Sequence, residues 1–246
     1  MNDEKIETTD IVIKKGKFLT WLDNYWYHYK WVTIIVAFFL IVALICTLQV
    51  CTKTDYDISV TYAGQVSLKA NQKVDFQKAL QNSLPEEFSS EDSEQETAVE
   101  LISYFVLSQE QIEKLEKQTE VDSNGDVSKV YIDRAFVTNE MDSFEAQLTT
   151  GSGSVLFVDR WIYDSFLDSD GNCERLMPVS EVLGENAKGT VGAYGIRLGD
   201  TELYKNNPQL SFLPEDTVIC LHRKIIGQKG YEQEIAAFKA YTVVAE

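Results

Sequence analysis

An acidic turn in the second half of the chain carries residue types that bind hard cations. Asp168, Asp170 and Asn172 place oxygen-bearing side chains at alternating positions, as a calcium-binding loop requires. An EF-hand loop has glycine at its sixth position and a bidentate glutamate at its twelfth, but here Gly171 is fourth and the twelfth residue is valine. The turn at 122–126 has the same misplaced glycine. Both are better interpreted as helix-exit or hairpin turns, so no metal ion and no other cofactor is predicted, and the three oxygen-bearing residues remain weak metal candidates.

Catalysis by a nucleophile with a histidine base needs a histidine beside the nucleophile. Of the two histidines, His28 lies in an aromatic stretch, and His222 lies in the strand-like run TVICLHRK, where a structural role is the better interpretation. The stretch TTGSGS at 149–154 has the spacing of neither the nucleophile elbow, nor the dinucleotide fingerprint, nor the P-loop. The sequence therefore predicts no catalytic residues and a protein that is not an enzyme. A hydrolase with an unlocated pair of acids is the enzymatic alternative.

The segment from Trp31 to Val50 contains no charged residue. About 20 residues of helix cross the ~30 Å hydrocarbon layer of a membrane. A core helix of a soluble protein would be shorter and would show a polar stripe, whereas this run is apolar on all sides. A cleaved signal peptide has a shorter apolar region and a small-residue cleavage site, and the exit TLQVC offers none. We therefore predict a retained transmembrane helix over 31–51. The predicted membrane-anchoring residues are Trp31, Ile34, Ile35, Phe38, Phe39, Leu40, Ile41 and Leu44.

Lysines flank this segment unequally, which predicts its orientation. Lys14, Lys15, Lys17 and Lys30 precede the span, and only Lys53 follows closely. Because lysine and arginine near a span stay on the cytoplasmic side, we expect a cytoplasmic N-terminus and a cell-membrane protein that crosses once. The predicted organisation is a cytoplasmic N-terminal segment (1–30), a transmembrane helix (31–51) and an extracytoplasmic domain (52–246).

Aromatic residues crowd the stretch KFLTWLDNYWYHYKW before the span. Trp21, Tyr25, Trp26 and Tyr29 are predicted to lie at the headgroup level, which aromatic side chains favour. Two interpretations stay open: an amphipathic helix lying on the inner leaflet, or an aromatic belt that caps the span.

The negative charge lies in the C-terminal part of the chain. The formal net charge is −17, and the residues up to Lys30 hold five lysines and five acids. The whole excess therefore follows Lys30, where it repels nucleic acid and anionic headgroups. A nucleic-acid partner is excluded.

Strand-like and helix-like segments alternate beyond the span, which predicts an α/β fold. We expect a three-layer α/β domain with a largely parallel or mixed sheet. The capping-box pattern from Ser108 to Gln111 predicts a helix start. Predicted strands cover 55–62, 101–107 (buried), 130–137, 154–159, 194–198 and 217–222. Predicted helices cover 74–84, 108–118, a short helix capped by Asn139, 161–167 and 231–241, and 85–98 is an acidic exposed loop.

Segments across most of the chain resemble a group of uncharacterised single-pass membrane-anchored proteins of low-GC Gram-positive bacteria. The segments are NYWYHYKW, DYDISVTYAG, ELISYFVLSQEQIEKLE, SVLFVDRWIYDSF, LMPVSEVLG, YGIRLGDTELYK and LPEDTVICL. The strand-like run 155–159, the helix after it and the turn at Met177-Pro178-Val179 resemble one lobe of the extracellular solute-binding proteins of ABC importers. This second resemblance implies a small-molecule ligand and a transporter partner.

Two functions remain open for the outer domain. The first is an interaction protein that binds a membrane or envelope protein, with Trp161 and Tyr163 as candidate contact residues, although such aromatic residues are more often core. The second is a membrane-tethered receptor of the solute-binding type, so a small-molecule ligand is left open. The lipid bilayer is a partner in both. Cys173 and Cys220 are able to pair only if the fold brings them close.

Overall fold

The computed structural model describes residues 17–51, 58–85, 98–121, 127–151, 153–226, 228 and 230–245. The chain divides into two compact units, Met1–Thr54 and Asp55–Glu246. Each unit is described by itself below. The predicted turn at 122–126, and residues 86–97 of the predicted acidic loop, lie outside the described residues.

The first unit contains one long helix, α1 (Lys17–Cys51). At 1.5 Å per residue it is about 52 Å long. Its segment Asn24–Thr47 has a mean hydropathy of 2.4, and none of that segment is buried. The predicted N-terminal apolar helix is confirmed, and it begins earlier than the predicted span, so that the aromatic stretch and the apolar run form one helix. Length and composition of this kind suit a membrane anchor and also a signal sequence.

The second unit is an α/β fold around an open, mixed sheet of six strands. The strands of the chain are β1 (Ile58–Gly64), β2 (Val99–Phe105), β3 (Thr119–Val121), β4 (Val127–Lys129), β5 (Val155–Val158), β6 (Thr190–Val191), β7 (Gly195–Arg197) and β8 (Val218–Leu221). The order in the main sheet is β2-β1-β5-β8-β7-β6, and β3 and β4 form a separate antiparallel pair. β1 is parallel to both β2 and β5, and the remaining pairs are antiparallel. The α/β prediction is therefore confirmed, with a mixed sheet.

Seven helices of the second unit are described. They are α2 (Ala70–Asn82), α3 (Gln109–Glu116), α4 (Arg134–Thr150), α5 (Arg160–Ser165), α6 (Val179–Leu183), α7 (Glu202–Asn206) and α8 (Tyr231–Tyr241). Short 3-10 helices lie before and after α7, at Leu198–Asp200 and Pro208–Leu210.

Side chains alternate across the central strand β5 and separate two apolar clusters. Val155 and Phe157 belong to one cluster, which we call the first-face core, and Leu156 and Val158 to the other, the second-face core. α2 and α8 add Phe76 and Phe238, among others, to the first-face core. α4 and α5 add Phe144 and Ile162, among others, to the second-face core.

Several predicted elements are confirmed, and for α3 a local signal marks where the helix begins. The Ser108 hydroxyl accepts a hydrogen bond from the Gln111 amide N–H at 3.1 Å, and the Gln111 side chain accepts one from the Ser108 N–H at 2.7 Å. This is the predicted capping box at the start of α3. The predicted helix at 231–241 is α8 itself, and the predicted strands at 154–159, 194–198 and 217–222 contain β5, β7 and β8.

One predicted strand and one predicted helix cap are wrong, and a second predicted strand is present but less buried than expected. The predicted strand at 130–137 is a loop that leads into α4, because the carboxylate of Asp133 accepts the Phe136 N–H at 3.0 Å and caps the helix there. The cap predicted at Asn139 therefore lies inside α4. The run at 101–107 was predicted to be a buried strand, but β2 is an edge strand whose residues 101–105 are only half-buried.

Candidate functional site

The connections between the parallel strands diverge at the carboxyl ends of β1 and β5. The chain leaves β1 through α2, which packs in the first-face core, and returns to β2 at the sheet edge. It then leaves β2, passes through α4 in the second-face core, and enters β5 on the other side of β1. In open α/β sheets, ligands bind in the crevice outside the carboxyl ends of strands at such a switch point. A ligand-binding site is therefore expected at the residues directly after β1 and β5.

Asp159 follows β5 and lies at this switch point. Its side chain is 4% exposed. The Gln65 N–H donates to Asp159 Oδ2 at 2.9 Å, and the Asp159 N–H donates to the carbonyl oxygen of Ala63 at 3.0 Å. The second carboxylate oxygen, Oδ1, is buried and has no hydrogen-bond partner in the described part of the chain. An unpaired buried oxygen on a charged group is costly, so this atom marks the position as unusual.

Gly64, the last residue of β1, makes room for the Asp159 carboxylate. A Cβ atom at position 64 would lie 2.3 Å from Asp159 Oδ1 and 2.7 Å from the hydroxyl oxygen of Tyr62. Both distances are far shorter than van der Waals contact. The carboxylate and the phenol oxygen therefore sit over the glycine, and no larger residue fits at position 64 without moving them.

The electrostatics of these groups reflect their burial. Burial raises the pKa of Asp159 from 3.8 to about 6, the hydrogen bond from the Gln65 N–H opposes this, and the negative charge of Asp216 raises the pKa further. Hydrogen bonding from the Gln111 side chain to the carboxylate also lowers the pKa of Asp159. Burial raises the pKa of Tyr62 well above 10, and the charge of Asp159 adds to that rise. The Asp159 carboxylate is thus mostly ionised at neutral pH.

Two glutamine side chains lie at the rim of the site. Gln65 is exposed and Gln111 is half-buried. The Gln111 amide Nε2 donates to Gln65 Oε1 at 3.2 Å, while its Oε1 accepts from the Ser108 N–H. The capping box of α3 therefore orients Gln111 toward the loop after β1. We call Tyr62, Gly64, Gln65, Gln111 and Asp159 together the Asp159 site.

The predicted contact residues Trp161 and Tyr163 follow Asp159 directly. Tyr163 is 1% exposed in the second-face core, its hydroxyl donates to the Val191 carbonyl oxygen at 2.5 Å, and burial raises its pKa to about 12. Tyr163 therefore stabilises the core. Trp161 is half-buried against the same core, and its Nε1 is buried without a hydrogen-bond partner among the described residues.

The weak metal candidates form an ordinary turn. Asp168 Oδ1 accepts hydrogen bonds from the N–H groups of Asp170 and Asn172, at 2.9 and 2.8 Å. This carboxylate oxygen is occupied by its own loop, which is the pattern of an Asx turn. The described residues contain no group of three or more His, Cys, Asp or Glu side chains arranged to hold a metal ion.

His222 contacts the backbone at the end of its own strand. Its Nδ1 lies 2.8 Å from the Arg223 carbonyl oxygen, so this nitrogen donates the proton. Burial lowers the pKa of His222, and the Arg223 hydrogen bond opposes that effect. The imidazole is therefore held neutral as part of the strand end.

The predicted interfacial residues form an aromatic stack along α1. The ring centroids of Trp21 and Tyr25 are 5.7 Å apart, and those of Tyr25 and Tyr29 are 5.3 Å apart. The Thr33 hydroxyl donates to the Tyr25 hydroxyl oxygen at 3.1 Å, and Trp26 is exposed. All eight predicted membrane-anchoring residues are exposed as well: Trp31, Ile34, Ile35, Phe38, Phe39, Leu40, Ile41 and Leu44.

Comparison of the chain with protein-family models, with curated proteins and with solved structures gives no match. The two resemblances drawn from sequence segments therefore stay predictions. The function has to be argued from α1, from the charge of the chain and from the Asp159 site.

Proposed function

We propose that the protein is a single-pass, membrane-anchored binding protein. One observation carries this proposal: the apolar segment Asn24–Thr47 is exposed on all sides, while the α/β unit has two buried cores of its own. An apolar helix about 36 Å long, exposed along its whole length, is stable only where its surroundings are also apolar. A lipid bilayer provides those surroundings.

The α/β unit lies on the extracytoplasmic side in this proposal. The lysines that precede the span support this orientation, since basic residues stay in the cytoplasm. The helices that pack in the first-face and second-face cores support a three-layer arrangement around the sheet. The aromatic stack at Trp21, Tyr25 and Tyr29 lies at the inner headgroup layer.

The Asp159 site favours a small polar ligand as what this domain binds. A buried carboxylate oxygen without a partner, next to a phenol and two amides, presents converging polar groups at the usual ligand position of an α/β sheet. The resemblance to one lobe of solute-binding proteins agrees with this choice, and with a transporter as the membrane partner.

An exposed aromatic surface favours a second candidate, the binding of a membrane or envelope protein. Tyr131 is 87% exposed and Phe136 is 49% exposed, close together before and within the first turn of α4. Aromatic residues dominate the energy of many protein interfaces. The half-buried Trp161 is the other candidate contact of this kind.

The anchor is tested on the full chain with a C-terminal tag, expressed in a Gram-positive bacterium. We expect the protein in the membrane fraction after carbonate extraction, with an intact mass that includes α1, and with the tag open to protease added to whole cells. A mature chain that starts after Val50 would show a cleaved signal sequence and overturn the anchor. A tag that is protected in whole cells and cleaved in lysed cells would overturn the orientation.

The ligand class is tested by the melting temperature of the detergent-solubilised full chain with amines, amino acids, sugars and phosphate. A ligand that binds the folded state stabilises it by about 2.7 kcal/mol at one hundred times its Kd. A shift that Asp159→Asn abolishes assigns the ligand to the Asp159 site. If no compound shifts the melting temperature while Tyr131→Ala together with Phe136→Ala abolishes co-purification of a membrane protein, the interaction function is correct instead.

A further inference from the structure

We infer that the Asp159 site binds its ligand through a positively charged nitrogen group, an ammonium or a guanidinium, which donates hydrogen bonds to Asp159 Oδ1. This inference rests on the proposed binding function and names the chemical class of the ligand. It follows from the hydrogen-bonding capacity of the carboxylate, from the charges around it and from the groups at the rim.

An ionised carboxylate only accepts hydrogen bonds, so its partner must be a donor. Oδ2 already has the Gln65 N–H at 2.9 Å, whereas Oδ1 has no donor within the described ranges of the chain. Asp159 is more than nine-tenths buried, so water does not freely replace that donor. The site therefore lacks one hydrogen-bond donor at a known atom.

The charges around Asp159 leave it without a counter-ion. Asp216 adds a second negative charge to its surroundings. Arg160 is the cationic neighbour in the sequence, but its Nε donates to Asp164 Oδ1 at 2.9 Å, and its guanidinium lies 5.8 Å from the Tyr163 ring centroid. No described lysine or arginine forms an ion pair with Asp159. A cationic ligand provides both the missing donor and the missing charge.

The rim supplies further acceptors. Gln65 Oε1 and the Tyr62 phenol oxygen are acceptors beside the carboxylate, and an ammonium or guanidinium has several N–H groups to satisfy them. The Gln65 side chain is exposed and is joined to Gln111 by a single 3.2 Å hydrogen bond between their amides.

The test compares cationic probes with neutral molecules of the same shape, by calorimetry on the full chain in detergent. The pairs are methylguanidine against methylurea and putrescine against 1,4-butanediol. We expect the cation of a pair to bind at least about tenfold tighter, the range of a hydrogen bond to a charged group. Asp159→Asn keeps an acceptor for the Gln65 N–H and should reduce that affinity about tenfold or more. Asp142→Asn, at an exposed position on α4, should leave it unchanged.

The outcomes separate this inference from the proposed function. Equal binding of the cation and its neutral partner, or tight binding of a sugar or of phosphate that Asp159→Asn abolishes, overturns the cationic ligand and leaves the binding function standing. Absence of binding by every probe in a chain with a sharp thermal transition overturns the cationic ligand and, together with a negative melting-temperature screen, the small-ligand function, whereas the membrane anchor keeps its own test. If Asp159→Asn does not fold, Gln111→Ala replaces it, and an affinity for methylguanidine that Gln111→Ala leaves unchanged would also contradict the assigned site.

Discussion

The Gln65 N–H donates a 2.9 Å hydrogen bond to Asp159 Oδ2, between residues that are 94 positions apart in the chain. This bond joins the ends of the parallel strands β1 and β5. It satisfies one carboxylate oxygen and leaves the other over Gly64 with no partner in the described residues. The same contact therefore holds the sheet together at its switch point and keeps a charged acceptor in place there.

Stability should depend on pH through Asp159. Its pKa is about 6 in the folded chain and 3.8 for the free group, so the folded state binds the proton more tightly. The stabilisation from this proton is fully present below pH 3.8 and is lost as the pH rises through about 6. The rise in the pKa of Asp159 corresponds to a decrease of about 3 kcal/mol in the free energy of unfolding between low and high pH.

The check is urea unfolding of the wild-type protein and of Asp159→Asn between pH 4 and 8, in detergent. The side chain of Asp159→Asn cannot ionise, so this variant should become more stable relative to the wild type as the pH rises from 4 to 8. The free energy of unfolding of Asp142→Asn should show the same pH dependence as that of the wild type. A constant difference between the wild type and Asp159→Asn at all pH values would show that the Asp159 carboxylate does not titrate in this range.

Gly64→Ala should displace the Asp159 carboxylate. The new Cβ would overlap Asp159 Oδ1 and the Tyr62 hydroxyl oxygen, and such overpacking costs about 1–3 kcal/mol. In a double-mutant cycle, Asp159→Ala should recover part of this cost, because one of the two clashes is gone. The measurement is the free energy of unfolding of the four proteins. Strict additivity would mean that the carboxylate does not lie over position 64.

Gln111→Ala should weaken ligand binding at the Asp159 site, because it removes the amide that donates to Gln65. Ser108→Ala is the matched control. It removes the hydroxyl that caps α3, at a cost of about 1 kcal/mol, but it keeps the backbone N–H that donates to Gln111 Oε1. Both variants should lower the melting temperature, but only Gln111→Ala should weaken ligand binding. Equal effects on binding would show that the Gln111 amide does not take part in the site.

The elements that the sequence predicted well carry their signal in a few neighbouring residues. The pattern from Ser108 to Gln111 marks the start of α3 because both partners of the capping box lie within one turn. At 130–137 the apolar, β-branched residues indicate a strand, but a single carboxylate, Asp133, starts a helix instead. The edge position of β2 depends on strand order, which local patterns do not contain.

The Asp159 site was missed because its residues come from separate parts of the chain. Gln65 and Gln111 are 46 positions apart, and Asp159 is farther still. A signal did exist: Gly64 and Asp159 each lie where a predicted strand ends or just beyond it, and parallel strands bring their carboxyl ends to one edge of a sheet. The sequence does not state that β1 and β5 are neighbours, so the pairing of these two ends needed the structure.

Cys173 and Cys220 should react as free thiols only in unfolded protein. Both are buried in the second-face core and neither forms a disulfide. Burial raises the pKa of Cys220 well above 9, and the nearby Cys173 adds to the effect, so the reactive thiolate is strongly disfavoured. In a Cys46→Ser, Cys51→Ser background, a maleimide should label neither thiol in the native protein and both in urea without reductant. Labelling in urea that needs a reductant would show that they pair outside the cell.

Charges placed in the middle of α1 should prevent its insertion, whereas charges at its end should not. Leu40 and Ile41 are exposed at the centre of the predicted span 31–51, where each arginine costs about 3 kcal/mol on the insertion scale. The variant Leu40→Arg with Ile41→Arg should be absent from the membrane fraction that resists carbonate extraction. Tyr27→Arg with His28→Arg adds the same charge near the end of the segment, where a long side chain reaches the headgroups, and should stay in the membrane. If both double variants remain in the membrane as the wild type does, α1 is not the anchor, because a lipid-embedded helix discriminates between these two depths.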